Sequence, residues 1–480
     1  MNKDQATGLE PTILVIFGIT GDLAKRKVLP ALYHLLKHDL LPEHTAIVGT
    51  SRSQLTSEDL LKQVELCVLE ADKVCDPEVI KKLRRLLTTL KFNPAEPSDY
   101  DQLLKTLNGI EARHGVCMNR LYYLSIPPSI YGPIVDSLGK HGLNHSCPHG
   151  NAKVRLLLEK PFGYDLASAK QLVERTSQSF SEEQLFRIDH YLAKETVQNI
   201  LAFRKHNPLF ASVWDNKHIQ SISITAYEKV DIEGRVDFYE KVGALRDFVQ
   251  NHLLQLLALT TMEMPADIMN NKTVHAHKQA LLKRVKAVPA NQVKQRVLRA
   301  QYKGYTQEVN NPNSTTETYV SLLLDINNDR WRGVPIYLAT GKALSEKRTE
   351  IRIVIAGQTK HSTTNELVFR IQPDEGIAVA LRVKTPGFMN ALQTAMMDFR
   401  YQTSFGNGSH PDAYERVLID AIHGEHPLFA TAEEVLSSWR ILQPVLDEWA
   451  KDASDLKTYP KGSTLQAVLT MPSALFRRPS

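Results

Sequence analysis

Cysteine is scarce. Of 480 residues only four are Cys, and Cys67, Cys75, Cys117 and Cys147 form no C-x-x-C pair. That spacing argues against a zinc site and against a disulfide framework, so reduced cytoplasmic thiols are expected. Long apolar runs are missing too. No stretch reaches the roughly 18 uninterrupted apolar residues that a spanning helix needs, so no membrane segment is expected. Residues Met1 to Glu10 are polar and lack the apolar stretch of a secretory signal, which again points to the cytoplasm. A strong charge of either sign is also lacking, the net value being +5. The densest basic run, Lys81-Lys82-Leu83-Arg84-Arg85, has no interleaved aromatics and reads as a solvated helix face, not a nucleic-acid surface. No internal repeat, low-complexity segment or metal-ligand cluster is visible.

What is present is a soluble, globular composition, with 42% hydrophobic and 23% charged residues. The length exceeds one ordinary core, so two or three domains are expected. Thr12 to Phe17 is a continuous β-prone run of the kind buried in parallel sheets, and a helical pattern follows from Asp22 to about Lys37. Further strands are expected at Ala46–Gly49, Arg120–Ile126 and Val154–Leu158, with helices between. This alternation predicts a doubly wound α/β domain over 1–188. Beyond it, 189–480 reads as an α+β domain. Period-two segments at Ile219–Tyr227, Tyr319–Ile326, Ile336–Thr340, Glu350–Ile355, Leu367–Ile371 and Ile377–Val383 predict a large, mainly antiparallel sheet. Helices Gly243–Met262, Asp412–His423 and Ala432–Ala450 would pack on it, and Asn310 to Ser314 reads as a loop.

Three segments carry chemistry. Gly18-Ile19-Thr20-Gly21-Asp22-Leu23-Ala24 follows the first strand and opens a helix. The first Gly permits a tight turn, the second lets backbone approach a pyrophosphate, and Ala24 allows close helix–strand packing. Helix N–H groups would face the phosphate oxygens. This is a Rossmann-type dinucleotide site. After the second strand, Ser51 and Arg52 stand where an acid would select NAD, so the site favours NADP.

The run Arg187-Ile188-Asp189-His190-Tyr191-Leu192-Ala193-Lys194-Glu195 gathers an acid, an imidazole, a phenol and an ammonium. A dianionic phosphate ester needs such charge-assisted donors, each worth roughly 1.5–3 kcal/mol. The plain alternative is a helix start, with Asp189 capping and Lys194 in solvent. Third, helical spacing places His252 on an apolar stripe with Leu245, Phe248, Val249, Leu256 and Leu259. Burial disfavours the charged form of such an imidazole and a carboxylate partner favours it, so the two together would leave a base neutral at pH 7 yet able to take a proton. Asp247, five residues away, is turned about 140° from it on an α-helix, so the partner must come from elsewhere, and Asp189 is a candidate. A satisfied core histidine is the plain alternative.

These motifs together resemble the glucose-6-phosphate dehydrogenase family. The resemblance extends over Gly18 to Lys25, Glu159-Lys160-Pro161-Phe162-Gly163, the run from Arg187 to Glu195, Glu233-Gly234-Arg235, Arg246-Asp247, Gln250 to Leu254, Gly341 to Leu344 and Asn365 to Val368. It implies that glucose 6-phosphate is oxidised to 6-phosphogluconolactone with hydride transfer to NADP+, the entry to the oxidative pentose phosphate pathway. His252 would be the general base and Asp189 its orienting acid. His190, Tyr191 and Lys194 would bind the phosphate, and Lys160, Glu228, Asp247 and Lys342 the sugar hydroxyls, with Lys347 an extra contact. Gly18, Ile19, Thr20, Gly21, Asp22, Leu23, Ala24, Lys25, Arg52, Tyr123 and Lys160 would line the coenzyme site, and Pro161 would help position the nicotinamide. No metal is called for, and the exposed sheet suggests a homodimer or homotetramer.

Two residues depart from the family pattern. Ala193 replaces a favoured Gly, which would cost on the order of 1 kcal/mol if φ were positive there. Ala339 stands where relatives with a second, structural NADP site resemble each other in carrying Arg, so that second site is not expected. A short-chain dehydrogenase would space Tyr and Lys four apart, whereas Tyr191 and Lys194 are three apart. The remaining alternatives are a same-fold dehydrogenase of free glucose or another sugar phosphate, and an inactive NADP-binding regulatory homologue.

Overall fold

A computed structural model describes residues 9–464 apart from 55, 73, 148–149, 358–363, 389, 407–411 and 428. Residues 1–8 of the polar N-terminal run thus lie outside the described residues. The chain divides into two compact units. The first gathers Met1–Gly163, Ala167–Ala193 and Pro411–Ala432, and the second Tyr164–Leu166, Lys194–His410 and Glu433–Ser480.

In the first unit, β1 (Thr12–Phe17), β2 (Thr45–Ser51), β3 (Leu87–Lys91), β4 (Asn119–Leu124), β5 (Val154–Leu158) and β6 (Leu185–Ile188) pair in parallel. Their order is 3-2-1-4-5-6, the doubly wound dinucleotide-binding arrangement. Every residue of β1, β4 and β5 is buried, which is why these strands are mainly apolar and do not alternate between buried and exposed positions.

Two expectations are corrected here. The helix Ala413–His423 packs against the helix Leu29–Lys37 of this unit, not on the antiparallel sheet. The strand Phe429–Ala430 after it adds antiparallel to β6 and ties the segment in place. Cys117 and Cys147 form a disulfide with Cα atoms 6.0 Å apart, so the four cysteines are not all reduced. Pairing of β4 with β5 brings the two chain segments together, an effect that sequence spacing cannot reveal.

The second unit is built on a ten-stranded sheet. Its members are β7 (Ile219–Tyr227), β8 (Val285–Lys286), β9 (Val297–Tyr302), β10 (Tyr319–Ile326), β11 (Ile336–Gly341), β12 (Arg348–Ile355), β13 (Asn365–Gln372), β14 (Gly376–Lys384), β15 (Leu392–Arg400) and the strand Lys457–Tyr459. Pairing is antiparallel except for β7 with β11 and Lys457–Tyr459 with β9. The helix Glu195–His206 packs on β13. At the same end of the sheet the outermost strand, β15, exposes Leu392, Met396 and Met397. Ala339 lies in a core cluster with Tyr227, Tyr239, Tyr302 and Tyr319.

Candidate active site

The first unit contributes the Gly-rich turn. Gly18 and Ile19 donate N–H bonds to Thr50 O at 3.2 and 3.1 Å, and Gly21 N bonds Gly18 O at 2.9 Å. Gly18 has φ +76°, and a Cβ there would meet Ser125 O at 2.6 Å. Only glycine fits. The turn sits at the ends of the adjacent strands β1 and β4, where the strand order reverses and dinucleotides bind in this architecture. Asp22 to Lys37 is helical as expected, with π spacing over Ala24–Val28. Arg52, just past β2, is exposed, as a contact for a 2′-phosphate must be before coenzyme binds.

Below the turn lies a buried polar cluster. The Tyr123 hydroxyl donates to Glu159 Oε1 at 2.5 Å. Burial pushes the Glu159 carboxyl up to about 7, against the lowering effect of Tyr123, Lys160 and Tyr414. The Lys160–Pro161 peptide bond is cis. Asp189 is buried, and its Oδ1 accepts from Tyr191 N at 3.0 Å. The His190 ring lies near-parallel to that of Tyr414, with centroids 6.4 Å apart. Asp189 therefore closes its own turn and does not cap the next helix, whose N-cap is Lys194. Ala193 is not among the described residues with positive φ, so it carries no backbone penalty for replacing glycine.

The second unit carries the rest. Lys194 is half-buried and its Nζ donates to Gln372 Oε1 at 2.6 Å, so the solvent-facing alternative does not hold. Its helix covers the sheet where Gln372 ends β13. Glu228 follows β7 and Lys342 follows β11, and the parallel pairing of these neighbouring interior strands puts both residues beyond the same ends of the sheet's strands. They form an ion pair there. Lys342 is buried, its Nζ lying 5.5 Å from the centroid of the Tyr239 ring, and its carbonyl accepts from Tyr459 OH at 2.7 Å. Lys347 is exposed.

His252 is wholly buried, with its ring edge-on to Phe248 at 5.0 Å. The helix bearing it has π spacing over Leu245–Leu253 before becoming α at Leu254–Thr261. This changes one argument. Main-chain bonds from i to i+5 set residues five apart roughly one turn apart, so Asp247 and His252 share a face instead of diverging by about 140°. The π segment packs on β7 and β11, the strands whose ends carry Glu228 and Lys342. Its start is fixed by a residue that the sequence reading missed. Buried Glu317 accepts from Leu245 N at 2.8 Å, and Gly243, at φ +65°, leaves room for that carboxylate. Nothing in a Thr-Thr-Glu loop 72 residues downstream signals that role.

The chain matches the NAD binding domain model of glucose-6-phosphate dehydrogenase over 15–199 and the C-terminal domain model over 201–469. It belongs to the glucose-6-phosphate dehydrogenase family. It is 38% identical to the glucose-6-phosphate 1-dehydrogenase of Chlamydia muridarum, over 94% of this chain and 93% of that protein. It is also 38% identical to glucose-6-phosphate 1-dehydrogenase 2 of Mycobacterium bovis, over 98% and 95%. A solved glucose-6-phosphate dehydrogenase in complex with glucose 6-phosphate superposes with a TM-score of 0.87 at 34% identity, covering 97% of this chain and 98% of that one. The enzyme from Mycobacterium avium gives 0.84 at 33%, covering 98% and 99%. This chain is thus an oxidoreductase that uses a nicotinamide coenzyme. Among the described residues no His, Cys, Asp and Glu group could hold a metal ion, and no helix is long and apolar enough to cross a membrane.

Proposed function

We propose that this chain oxidises glucose 6-phosphate at C1 to 6-phosphoglucono-1,5-lactone, with NADP+ as hydride acceptor and His252 as general base. The observation that carries the reading is the paired ends of β7 and β11 in the second unit, where Glu228 and Lys342 meet beside a π-helical segment presenting Asp247 and buried His252 on one face. A sugar hydroxyl needs paired donors and acceptors to be held for reaction, and Glu228, Asp247 and Lys342, with Lys160, supply both. Lys347, at the exposed end of the same loop, adds a cation.

In this reading His252 takes the C1 hydroxyl proton as the C1–H bond electrons leave as hydride, and the ring oxygen and C1 become the lactone. The coenzyme supplies the electron sink. Asp189 pairs with the imidazole and favours its charged form as the proton arrives. His190, Tyr191 and Lys194 bind the phosphate, and their cationic and hydroxyl donors favour a phosphorylated sugar over free glucose. Gly18 to Lys25 and Tyr123 line the coenzyme site, Pro161 positions the nicotinamide, and Arg52 with no acid nearby favours NADP. Both substrates are multiply charged and cross membranes poorly, so we place the enzyme in the cytoplasm. The apolar residues exposed on β15 support a homodimer or homotetramer.

The test is coenzyme reduction followed by absorbance, with glucose 6-phosphate or glucose and with NADP+ or NAD+. Comparable kcat/KM on free glucose would overturn the phosphate assignment, and coenzyme binding without turnover would favour the inactive homologue. Replacing His252 with Asn should lower kcat by about 10²–10⁴ while KM for the sugar changes only a few-fold. A variant with near-normal kcat would remove His252 from the mechanism.

A further inference from the structure

A cavity of about 280 Å³ in the second unit stands apart from every residue assigned above. Arg204, Lys205, Trp214, Glu263 and Arg330 line it. Arg204 comes from the helix Glu195–His206, and Trp214 lies shortly before β7. Glu263 follows the helix Leu254–Thr261, and Arg330 lies between β10 and β11.

The charge here is unbalanced. Arg204 is only 4% exposed, yet its Nη1 and Nη2 donate to neutral acceptors, Leu259 O and Met262 O, each at 2.6 Å. Its Nε is buried with no hydrogen-bond partner. The guanidinium lies 5.4 Å from the centroid of the Trp214 ring. Lys205 Nζ donates to another carbonyl, Pro265 O, at 3.2 Å. Glu263, the one carboxylate in the lining, is held at 2.7 Å by Arg330 Nε, while Arg330 Nη1 donates to Trp214 O at 2.8 Å. Three cations thus face one carboxylate. Burial and the Arg330 charge pull the Arg204 pKa down to about 9, and the Glu263 charge offsets them only in part.

A buried charge without a partner is costly, and an anion supplied from solution removes that cost. Two arginines and a lysine suit an oxyanion with several acceptor atoms. The volume lies just below the range of drug-sized ligand sites, which begins at about 300 Å³. It admits a small ion and excludes a dinucleotide. We propose that this cavity binds a small phosphate dianion, either free inorganic phosphate or the phosphate group of a small monoester. Arg204 also holds the end of the helix Leu254–Thr261, so occupancy would steady that helix end.

Calorimetric titration of the full chain with inorganic phosphate and with methyl phosphate tests this, at constant ionic strength set by sodium chloride. Both are run in a Lys194→Ala background, which weakens binding at the substrate phosphate site. Binding should persist there and weaken by about tenfold or more when Arg330→Ala is added. Lys205→Ala, at an exposed position, gives the same reading should the arginine variant fail to fold. Response to inorganic phosphate alone assigns the free ion, and response to both probes assigns a site open to monoesters. Loss of all phosphate binding in Lys194→Ala alone, or binding unchanged by Arg330→Ala and Lys205→Ala, overturns the proposal.

Discussion

Removing one member of a buried charge cluster tests how the second unit is held together. Glu434 and Lys278 are both 0% exposed at their side chains and lie 3.0 Å apart. Lys278 Nζ also donates to Gln255 Oε1 at 3.0 Å, and His275 Nδ1 meets Glu434 Oε1 at 2.8 Å. These contacts join the helices Leu254–Thr261, Asn271–Leu282 and Ala432–Lys451, the first of which continues directly from the segment bearing His252. Burial alone would raise the Glu434 pKa, but Lys278 and His275 reverse that and hold it down at about 2. Glu434→Gln leaves a fully buried ammonium facing only neutral groups. Breaking a buried pair in this way costs about 3–5 kcal/mol. With a urea m-value of about 3 kcal/mol/M, the midpoint should fall by roughly 1 M or more. All four tryptophans, Trp214, Trp331, Trp439 and Trp449, lie in the second unit, so their fluorescence reports its unfolding. The double variant Glu434→Leu with Lys278→Met removes both charges and should be less destabilised than either single variant. The pH dependence has a definite sign. A carboxylate with a depressed folded-state pKa stabilises above its ordinary value, so the wild-type advantage over Glu434→Gln should shrink as pH falls from about 4.5 toward 2. Single variants within about 1 kcal/mol of wild type, or additive in the double variant, would refute the reasoning.

Three further outcomes are expected. Lys194→Ala should raise KM for glucose 6-phosphate by about 10–150-fold with kcat less affected, as one charge-assisted bond is lost; an unchanged KM would mean that the ammonium serves only Gln372. Gly18→Ala forces a Cβ to within 2.6 Å of Ser125 O at φ +76°, so KM for the coenzyme should rise by about tenfold or more, measured against an unchanged sugar KM. Glu159, raised by burial to about 7, binds its proton more tightly folded than unfolded, so stability should decline as pH climbs from about 4.5 to 7. Glu159→Gln should abolish up to about 3 kcal/mol of that decline, and an identical pH profile would contradict the assignment.

The fully buried strands β1 and β5 and the Gly-rich turn were legible because each is a local signal: a continuous apolar run, or a glycine that only one turn geometry uses. The strands β7 and β10 were legible to the residue; β7 alternates between buried and more exposed positions along most of its length, whereas β10 is mainly apolar and mostly buried. By contrast β9, V-L-R-A-Q-Y, is fully buried although Leu298 to Tyr302 alternate in type, and β15, L-Q-T-A-M-M-D-F-R, is largely exposed and lacks alternation; neither strand was expected. The candidate base and the phosphate-binding run were readable as residue types in order, since charged groups clustered at a helix start stand out from their neighbours.

Tertiary structure alone decided the rest. Whether β7 and β11 run parallel depends on chain crossings between them, and that choice is what makes Glu228 and Lys342 neighbours. The π spacing that brings Asp247 round to the face of His252 arises where the helix packs on those strands and is capped by Glu317, none of which 3.6-residue periodicity contains. Likewise the return of Ala413–His423 to the first unit, and the joining of Cys117 to Cys147, follow from strand pairing between distant segments. Local sequence selects each element through its own backbone and burial preferences, whereas the partners of each element are chosen by packing across the whole chain.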